Sequence, residues 1–324
     1  MDKVSKKLDV SQVEQAAEKL VSNIGKVIVG KAEVIKLVMV ALLCEGHLFI
    51  EDVPGIGKTM LAKATASSLG CSFKRIQFTP DLLPSDVTGI YYFNQKTSEF
   101  EFRPGPIMAN IVLADEINRA TPRTQSSLLE CMQERQVTVD VDTLPLPRPF
   151  MVIATQNPIE LEGTFPLPEA QLDRFMLKVR LGYPSADEEG TILCRFQQEN
   201  PLDSLTPVIE ASELLALQKL CRQVYVEDSV RQYIVTVTQA TRNHQGIKLG
   251  ASPRASLSLY LASQSLAAIQ GRSYVTPDDV KHLVVPVLAH RVIVKAETGI
   301  RGQSAEGILG EIVSTIPVPV EETT

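Results

Sequence analysis

The chemistry of this chain begins at Gly55-Ile56-Gly57-Lys58-Thr59, which follows the apolar run His47-Leu48-Phe49-Ile50 and opens the helix-like stretch Met60-Leu61-Ala62. Glycines let backbone N–H groups converge on one anion without Cβ interference. The helix that follows turns its unpaired N–H groups and the positive end of its dipole to the same anion. In that setting Lys58 reaches the terminal phosphates of a nucleotide and the Thr59 hydroxyl ligates Mg²⁺, with Pro54, Gly55, Ile56, Gly57 and Met60 completing the expected nucleotide-binding loop. The strict phosphate-loop pattern asks for glycine at position 52, where this chain has Asp52.

About fifty residues on, the continuous apolar run Ile111-Val112-Leu113-Ala114 ends in Asp115-Glu116. Such a run fits a strand buried on both faces. A carboxylate at its end can hold Mg²⁺, so Asp115 joins Thr59 as an expected metal ligand. The neighbouring carboxylate, Glu116, can polarise a water aligned with the terminal phosphate. An isolated Asp-Glu pair reads as a solvated turn; behind a phosphate loop the two motifs describe one nucleoside triphosphate site.

Three further positions could complete it. Asn157, in Ala154-Thr155-Gln156-Asn157-Pro158, can hydrogen-bond the attacking water or the γ-phosphate, although Asn-Pro by itself is a turn signal. Arg174, in Gln171-Leu172-Asp173-Arg174-Phe175, can neutralise charge developing on a neighbouring subunit's nucleotide, or else pair with Asp173 at the surface. Arg254, after Ser252-Pro253, falls in the first turn of a helix, where a cation opposes the helix dipole. A nearby anion would explain it, either a bound triphosphate or a local carboxylate.

These residues need a scaffold. Strand-like runs at 47–51, 73–78, 111–115, 150–155 and 175–181 alternate with helical ones, including 58–69, closed by Gly70, and 122–135, with Thr121 as N-cap and Pro122 at the first helical position. The alternation predicts an α/β domain, a parallel sheet between helices. It is preceded by an amphipathic helix over residues 1–25, strongest from 10, with Val13, Ala17, Leu20, Val21 and Ile24 on one face. Residues 88–103 interrupt it as an inserted hairpin. Tyr91, Tyr92, Phe93, Phe100 and Phe102 there form a recognition surface or pack the hairpin's own apolar face. A second strand pair, with Val137, Val139 and Val141 alternating with polar residues, is expected between 136 and 149. Gly182-Tyr183-Pro184-Ser185 marks a boundary between domains 1–184 and 185–324. Beyond it the patterning is helical throughout, at 211–224, 228–243, 253–270 and 277–293, with an extended tail.

The string Ala114-Asp115-Glu116-Ile117-Asn118-Arg119-Ala120, then Ala154 to Pro158, then Leu167-Pro168-Glu169-Ala170-Gln171-Leu172-Asp173-Arg174-Phe175, resembles the MoxR family of AAA+ ATPases over roughly residues 10 to 312. The resemblance implies a five-stranded parallel core of order 5-1-4-3-2, an all-helical lid and a homo-oligomeric ring, usually a hexamer. It implies ATP and Mg²⁺ as cofactors. It makes Gly55 to Thr59 the Walker A motif and Asp115-Glu116 the Walker B motif. Asn157 matches sensor 1, Arg174 the arginine finger and Arg254 sensor 2. It further implies chaperone-like maturation of protein partners, often with von Willebrand factor A domains or metal cofactors.

Composition bounds the alternatives. With 324 residues, 44 % of them hydrophobic, the chain can bury a sizeable core. The net charge of −6 and the absence of a long Lys/Arg run make a nucleic-acid motor or loader the weaker reading. Its hairpin offers Lys96 and Arg103 against Glu99 and Glu101. The apolar stretch 34–44 is too short to span a bilayer. Five scattered cysteines suit a reducing compartment, so the cytoplasm is the expected location and no direct membrane insertion is expected.

Overall fold

The computed structural model describes residues 8–159, 163–197, 200–300 and 302–319. Five strands, β1 (Leu48–Glu51), β2 (Phe73–Gln77), β5 (Ile111–Asp115), β8 (Met151–Gln156) and β9 (Leu177–Val179), form one parallel sheet. Its order is β2-β5-β8-β1-β9, the predicted 5-1-4-3-2 read from the other edge. The register aligns Glu51 with Gln156 and Gln77 with Asp115, which brings their carboxyl ends level.

Period-two alternation divides the sheet's side chains between two cores. Leu48, Ile50, Ile111, Leu113, Ile153 and Leu177 face one core, whereas Phe49, Val112, Ala114, Val152 and Ala154 face the other. Because both faces are covered, the central strands read in sequence as unbroken apolar runs rather than alternating ones. The second core is closed by α5 (Pro122–Glu134) and by the bases of two hairpins, β3–β4 (Gly89–Asn94, Glu99–Pro104) and β6–β7 (Gln136–Val139, Asp142–Pro145). The first core takes in α1 (Ser11–Gly25), α2 (Ala32–Leu43) and α3 (Lys58–Ser68). It continues without a break into α8 (Ala211–Cys221), α9 (Asp228–Asn243), α10 (Pro253–Ile269), α11 (Pro277–Leu288) and α13 (Ala305–Thr315). Short helices α4 (Pro84–Thr88), α6 (Glu169–Leu172), α7 (Ala186–Phe196) and α12 (Ala296–Ile300) complete the connections.

Several sequence expectations need correction. The helix expected over 1–25 begins at Ser11, and residues 1–7 lie outside the described residues. Thr121 is the N-cap residue of α5, as expected, but its side chain makes no capping hydrogen bond. Val141 is not a strand residue: Asp140 adopts a left-handed φ of 54° and leaves Val141 93 % exposed in the turn. The second half is not purely helical, since β10 (Ile247–Leu249) and β11 (Ile293–Val294) pair antiparallel. The helix predicted over 277–293 accordingly stops at Leu288 and gives way to a 3₁₀ turn at Ala289–Arg291. Strands this short carry no periodicity long enough to read. Of the tail, 316–319 has no regular structure and 320–324 lie outside the described residues.

His47, just ahead of β1, is a fully satisfied core histidine. Its Nε2 lies 3.0 Å from the Met132 carbonyl, and its Nδ1 accepts from the Val152 N–H at 3.0 Å. Burial pushes the imidazole down to about 4 from its ordinary 6.5. Between those values the unfolded chain binds a proton that the folded chain does not, so stability is lost as pH falls through that window. His290, lowered by burial, acts in the same direction. Acidification from neutral pH toward about 4 should therefore lower the unfolding midpoint, with about 3 kcal/mol of the loss due to His47. His47→Gln, which can still donate and accept, should flatten this dependence in urea unfolding. An unchanged pH slope in that variant would refute the assignment.

Candidate nucleotide site

β1 delivers the phosphate loop at the carboxyl end of the sheet, where open α/β sheets hold ligands. Gly55 and Gly57 adopt φ of +83° and +93°. Nothing crowds the space where a Cβ would stand at Gly55, so the backbone conformation is what calls for glycine there. Among the described residues, the N–H groups of residues 55 to 60 donate to no protein acceptor. Six unanswered donors in one loop are a site for an anion.

Asp52, the departure from the strict motif, has a structural task. Its N–H continues the strand ladder to the Gln156 carbonyl at 3.1 Å. One carboxylate oxygen accepts from the Val53 N–H at 2.9 Å, and the other from the Gly182 N–H at 2.7 Å. The side chain thus ties the start of the loop to the segment leaving β9. Lys58 is 9 % exposed and donates to the Asp52 carbonyl at 2.7 Å. Burial lowers its ammonium from the usual range, and Asp115, Asp52 and Glu116 pull it back up.

The two carboxylates at the end of β5 are held differently. Asp115 is buried. Its Oδ1 accepts from the Thr155 hydroxyl at 2.6 Å, and its Oδ2 takes both Nε and Nη2 of Arg75, at 3.0 and 2.6 Å. The same Thr155 oxygen accepts the Glu116 N–H at 2.9 Å. Glu116 itself has φ 56°, a left-handed conformation that costs a non-glycine residue about 1–3 kcal/mol and is found at functional turns. Its carboxylate accepts from Gln77 Nε2 at 2.9 Å and Arg119 Nη1 at 3.2 Å. Asn157, 5 % exposed, uses its Oδ1 on the Ile159 N–H at 3.1 Å, which leaves its NH₂ for the cavity it lines.

Lys58, Thr59, Asp115, Glu116 and Asn157 meet around one cavity of about 360 Å³, bounded by Pro54, Gly55, Gly57 and Met60. Thr59 and Asp115 offer the hard oxygen donors that suit Mg²⁺. An adjoining cavity of about 440 Å³ shares Pro54 to Gly57 and Met60, with walls from Val27, Ile28, Leu193 and Phe196. Its apolar sides suit a flat base, beside a polar chamber that suits phosphates. A larger open groove of about 1150 Å³ along α7, around Asp187 and Arg195, contains none of the motif residues. Chemistry, not size, identifies the site.

Sequence reasoning missed Arg75, Gln77, Thr155 and the apolar walls of the adjoining cavity. Arg75 and Gln77 alternate on β2 and have no motif; only their register against β5 reveals them.

Arg174 and Arg254 do not enter the phosphate cavity. Both line a separate cavity of about 190 Å³ with Glu45, Gly46 and His47, which precede β1, and Met176, which precedes β9. That is the amino end of the sheet. β1 alone separates the two ends by about 13 Å, at about 3.3 Å per residue. Arg174 donates to the Leu129 carbonyl at 2.8 Å. Arg254 is exposed and has no hydrogen-bond or ion-pair partner among the described residues. The local-carboxylate explanation for a cation in this first turn is therefore not met by direct contact.

Residues 47–177 match the ATPase family associated with various cellular activities (AAA), and residues 239–312 match the AAA lid domain. The chain is 52 % identical to the uncharacterised protein YeaC of Bacillus subtilis over 305 residues, covering 94 % of this chain and 95 % of that one. It is 40 % identical to Chaperone MoxR1 of Mycobacterium tuberculosis over 311 residues, covering 93 % of this chain and 82 % of that one. The crystal structure of a candidate ATPase from Cytophaga hutchinsonii superposes with a TM-score of 0.89 at 36 % identity, over 96 % of this chain and 98 % of that one. Phosphate loop, paired carboxylates, strand order and whole-length similarity agree: the chain belongs to the MoxR family of AAA+ ATPases.

Proposed function

We propose that this ATPase works as a homo-oligomeric ring, a hexamer, in which each active site is shared by two protomers and hydrolysis drives chaperone-like maturation of a protein partner. The observation that carries this is the placement of Arg174 and Arg254 at the opposite end of the sheet from Lys58 and Glu116. A rigid parallel sheet keeps these groups apart within one chain. Two arginines lining one cavity would instead meet the terminal phosphate of an adjacent protomer.

In this mechanism the N–H groups of the loop and Lys58 bind and orient the triphosphate. Mg²⁺, held by Thr59 and Asp115, would neutralise charge on the phosphate oxygens. Glu116, aimed by its strained turn and by Gln77, takes the proton of the attacking water. Asn157 donates to the γ-phosphate or that water. Arg174 and Arg254 arrive from the neighbour and stabilise the charge that develops, an effect worth about 10³–10⁵ in rate for arginine fingers. Because Arg254 belongs to the helical half, loss of the γ-phosphate would change how that half sits on the neighbour, a ligand-biased two-state element.

A protein partner, of the kind bearing a von Willebrand factor A domain or awaiting a metal cofactor, fits the surface better than nucleic acid. Phe93 and Phe100 stack edge-to-face at the exposed tip of the β3–β4 hairpin, beside Glu99 and Glu101. We place the protein in the cytoplasm. No helix among the described residues is long and apolar enough to cross a membrane.

Glu116→Gln should keep nucleotide affinity within about threefold while lowering kcat about 10²-fold or more, the usual scale of general-base catalysis. Normal turnover in that variant would remove Glu116 from its role. ATPase rate measured against protein concentration, with light scattering alongside, should rise steeply as oligomers form. Arg174→Ala and Lys58→Ala chains, each inactive alone, should regain part of the wild-type rate when mixed. Concentration-independent activity in a persistent monomer, or no recovery on mixing, would overturn the shared site.

A further inference from the structure

Ser252 stands at the N-cap of α10, where a serine hydroxyl ordinarily accepts an N–H from the first helical turn. It makes no such bond. Its Oγ donates instead to Asp173 Oδ2 at 3.0 Å, across 79 residues of chain. The other oxygen of that carboxylate lies 2.9 Å from Arg291 Nε, at ion-pair distance but without hydrogen-bond alignment. Arg291 is 6 % exposed, and its terminal nitrogens donate to the carbonyls of Phe175 at 2.7 Å, Val287 at 3.0 Å and Asp173 at 3.3 Å. One aspartate is therefore gripped from two places in the helical half, through Ser252 and through Arg291.

The position of this grip in the chain matters. Asp173 immediately precedes Arg174, and Ser252 lies two residues before Arg254. Arg174, Arg254 and Arg291 line the same small cavity with Arg135, so four like charges converge there, of which Arg135 is already paired with Glu45. The other carboxylate in it, Glu45, is paired with Arg135 and Arg222. Asp173 is thus the carboxylate available to offset the other three cations, and it sits at the amino end of α10, where the helix dipole favours negative charge.

We propose that Asp173 is a positioning residue that clasps Arg174, from the sheet half, and Arg254, from the helical half, into one preorganised two-armed surface for the adjacent protomer's nucleotide. This rests on the reading that both arginines act on a neighbour. Two long cationic side chains on separate parts of the fold would otherwise have to be ordered independently at every turnover. Misplacement by about 1 Å can cost about 100-fold in rate. The clasp also defines a specific mechanical link: movement of the helical half pulls on the arginine of the sheet half through a hydroxyl–carboxylate bond.

The test uses the full-length protein and begins with Arg174→Ala as the reference. Ser252→Ala and Asp173→Asn should each lower kcat about tenfold or more, with KM for ATP within about threefold and assembly by light scattering unchanged. Ser252→Thr, which keeps the hydroxyl, should retain the wild-type rate. Adding Ser252→Ala to Arg254→Ala should cost little beyond Arg254→Ala alone, because an absent arm cannot be misplaced. Should Asp173→Asn fail to fold, leaving Arg291 buried without its partner, Ser252→Ala and its threonine counterpart decide the matter. Wild-type kcat in Ser252→Ala alongside an inactive Arg174→Ala would overturn the clasp alone. Full multiplicative loss in the double variant would overturn it too. Wild-type activity in Arg174→Ala would overturn the shared-site reading beneath it.

Discussion

All strands of a parallel sheet run the same way, so the sheet has two chemically different ends, and the rest of this molecule is arranged around that asymmetry. At the carboxyl ends, chain reversals leave N–H groups, Lys58 and two carboxylates around one cavity. At the amino ends, the segments entering β1 and β9 gather Arg174, Arg254 and Arg291 around another. The strands cannot shorten or bend to bring the two together, because both faces are buried and each register slip would turn core side chains toward the wrong core. A separation dictated by backbone geometry is what the proposed sharing of one site between two protomers rests on.

The carboxyl end is organised by hydrogen bonds rather than by packing. Thr155 illustrates the economy of this arrangement. A single hydroxyl on β8 donates to Asp115 and accepts from the Glu116 N–H, so the strand that leads to Asn157 also holds the acidic turn at the end of β5. Arg75 and Gln77 on β2 hold the same two carboxylates from the other side. Three adjacent strands therefore hold one acidic turn, which is how a left-handed conformation at Glu116 can persist. Lys58 is kept inside the cavity by the loop's own carbonyl, poised between burial that opposes its charge and carboxylates that favour it.

The helical half is not a separate body resting on the sheet. Its core is continuous with the sheet face that carries Leu48, Ile50 and Leu113, and α1 packs within the same cluster. Packed interiors transmit displacement because they cannot deform continuously. Buried Arg291 and His290 both engage the Phe175 carbonyl beside Arg174, so the arginine-bearing turn is supported from the helical half and not only by its own strand.

What the sequence alone determined is what local patterning can encode. Continuous apolar runs mark strands covered on both sides, glycines mark a loop that must take positive φ, and acidic or basic residues at run ends mark reactive turns. These signals placed the five core strands to within a few residues, found both hairpins and picked out the motifs at Gly55 to Thr59, Asp115-Glu116 and Asn157 that meet around one cavity. The tertiary structure decided everything that depends on distant residues of ordinary type. Arg75 meets Asp115 across 40 positions and Ser252 meets Asp173 across 79, with nothing in either local segment to announce the pairing. The same holds for Val27 and Ile28, which become walls of the apolar cavity beside the phosphate loop only when α7 packs opposite them, and for β10 and β11, too short to show a period. It also decided which end of the sheet each arginine occupies. The reason is physical: local sequence biases φ, ψ and burial, whereas a charge's partner is fixed by where the whole chain closes on itself.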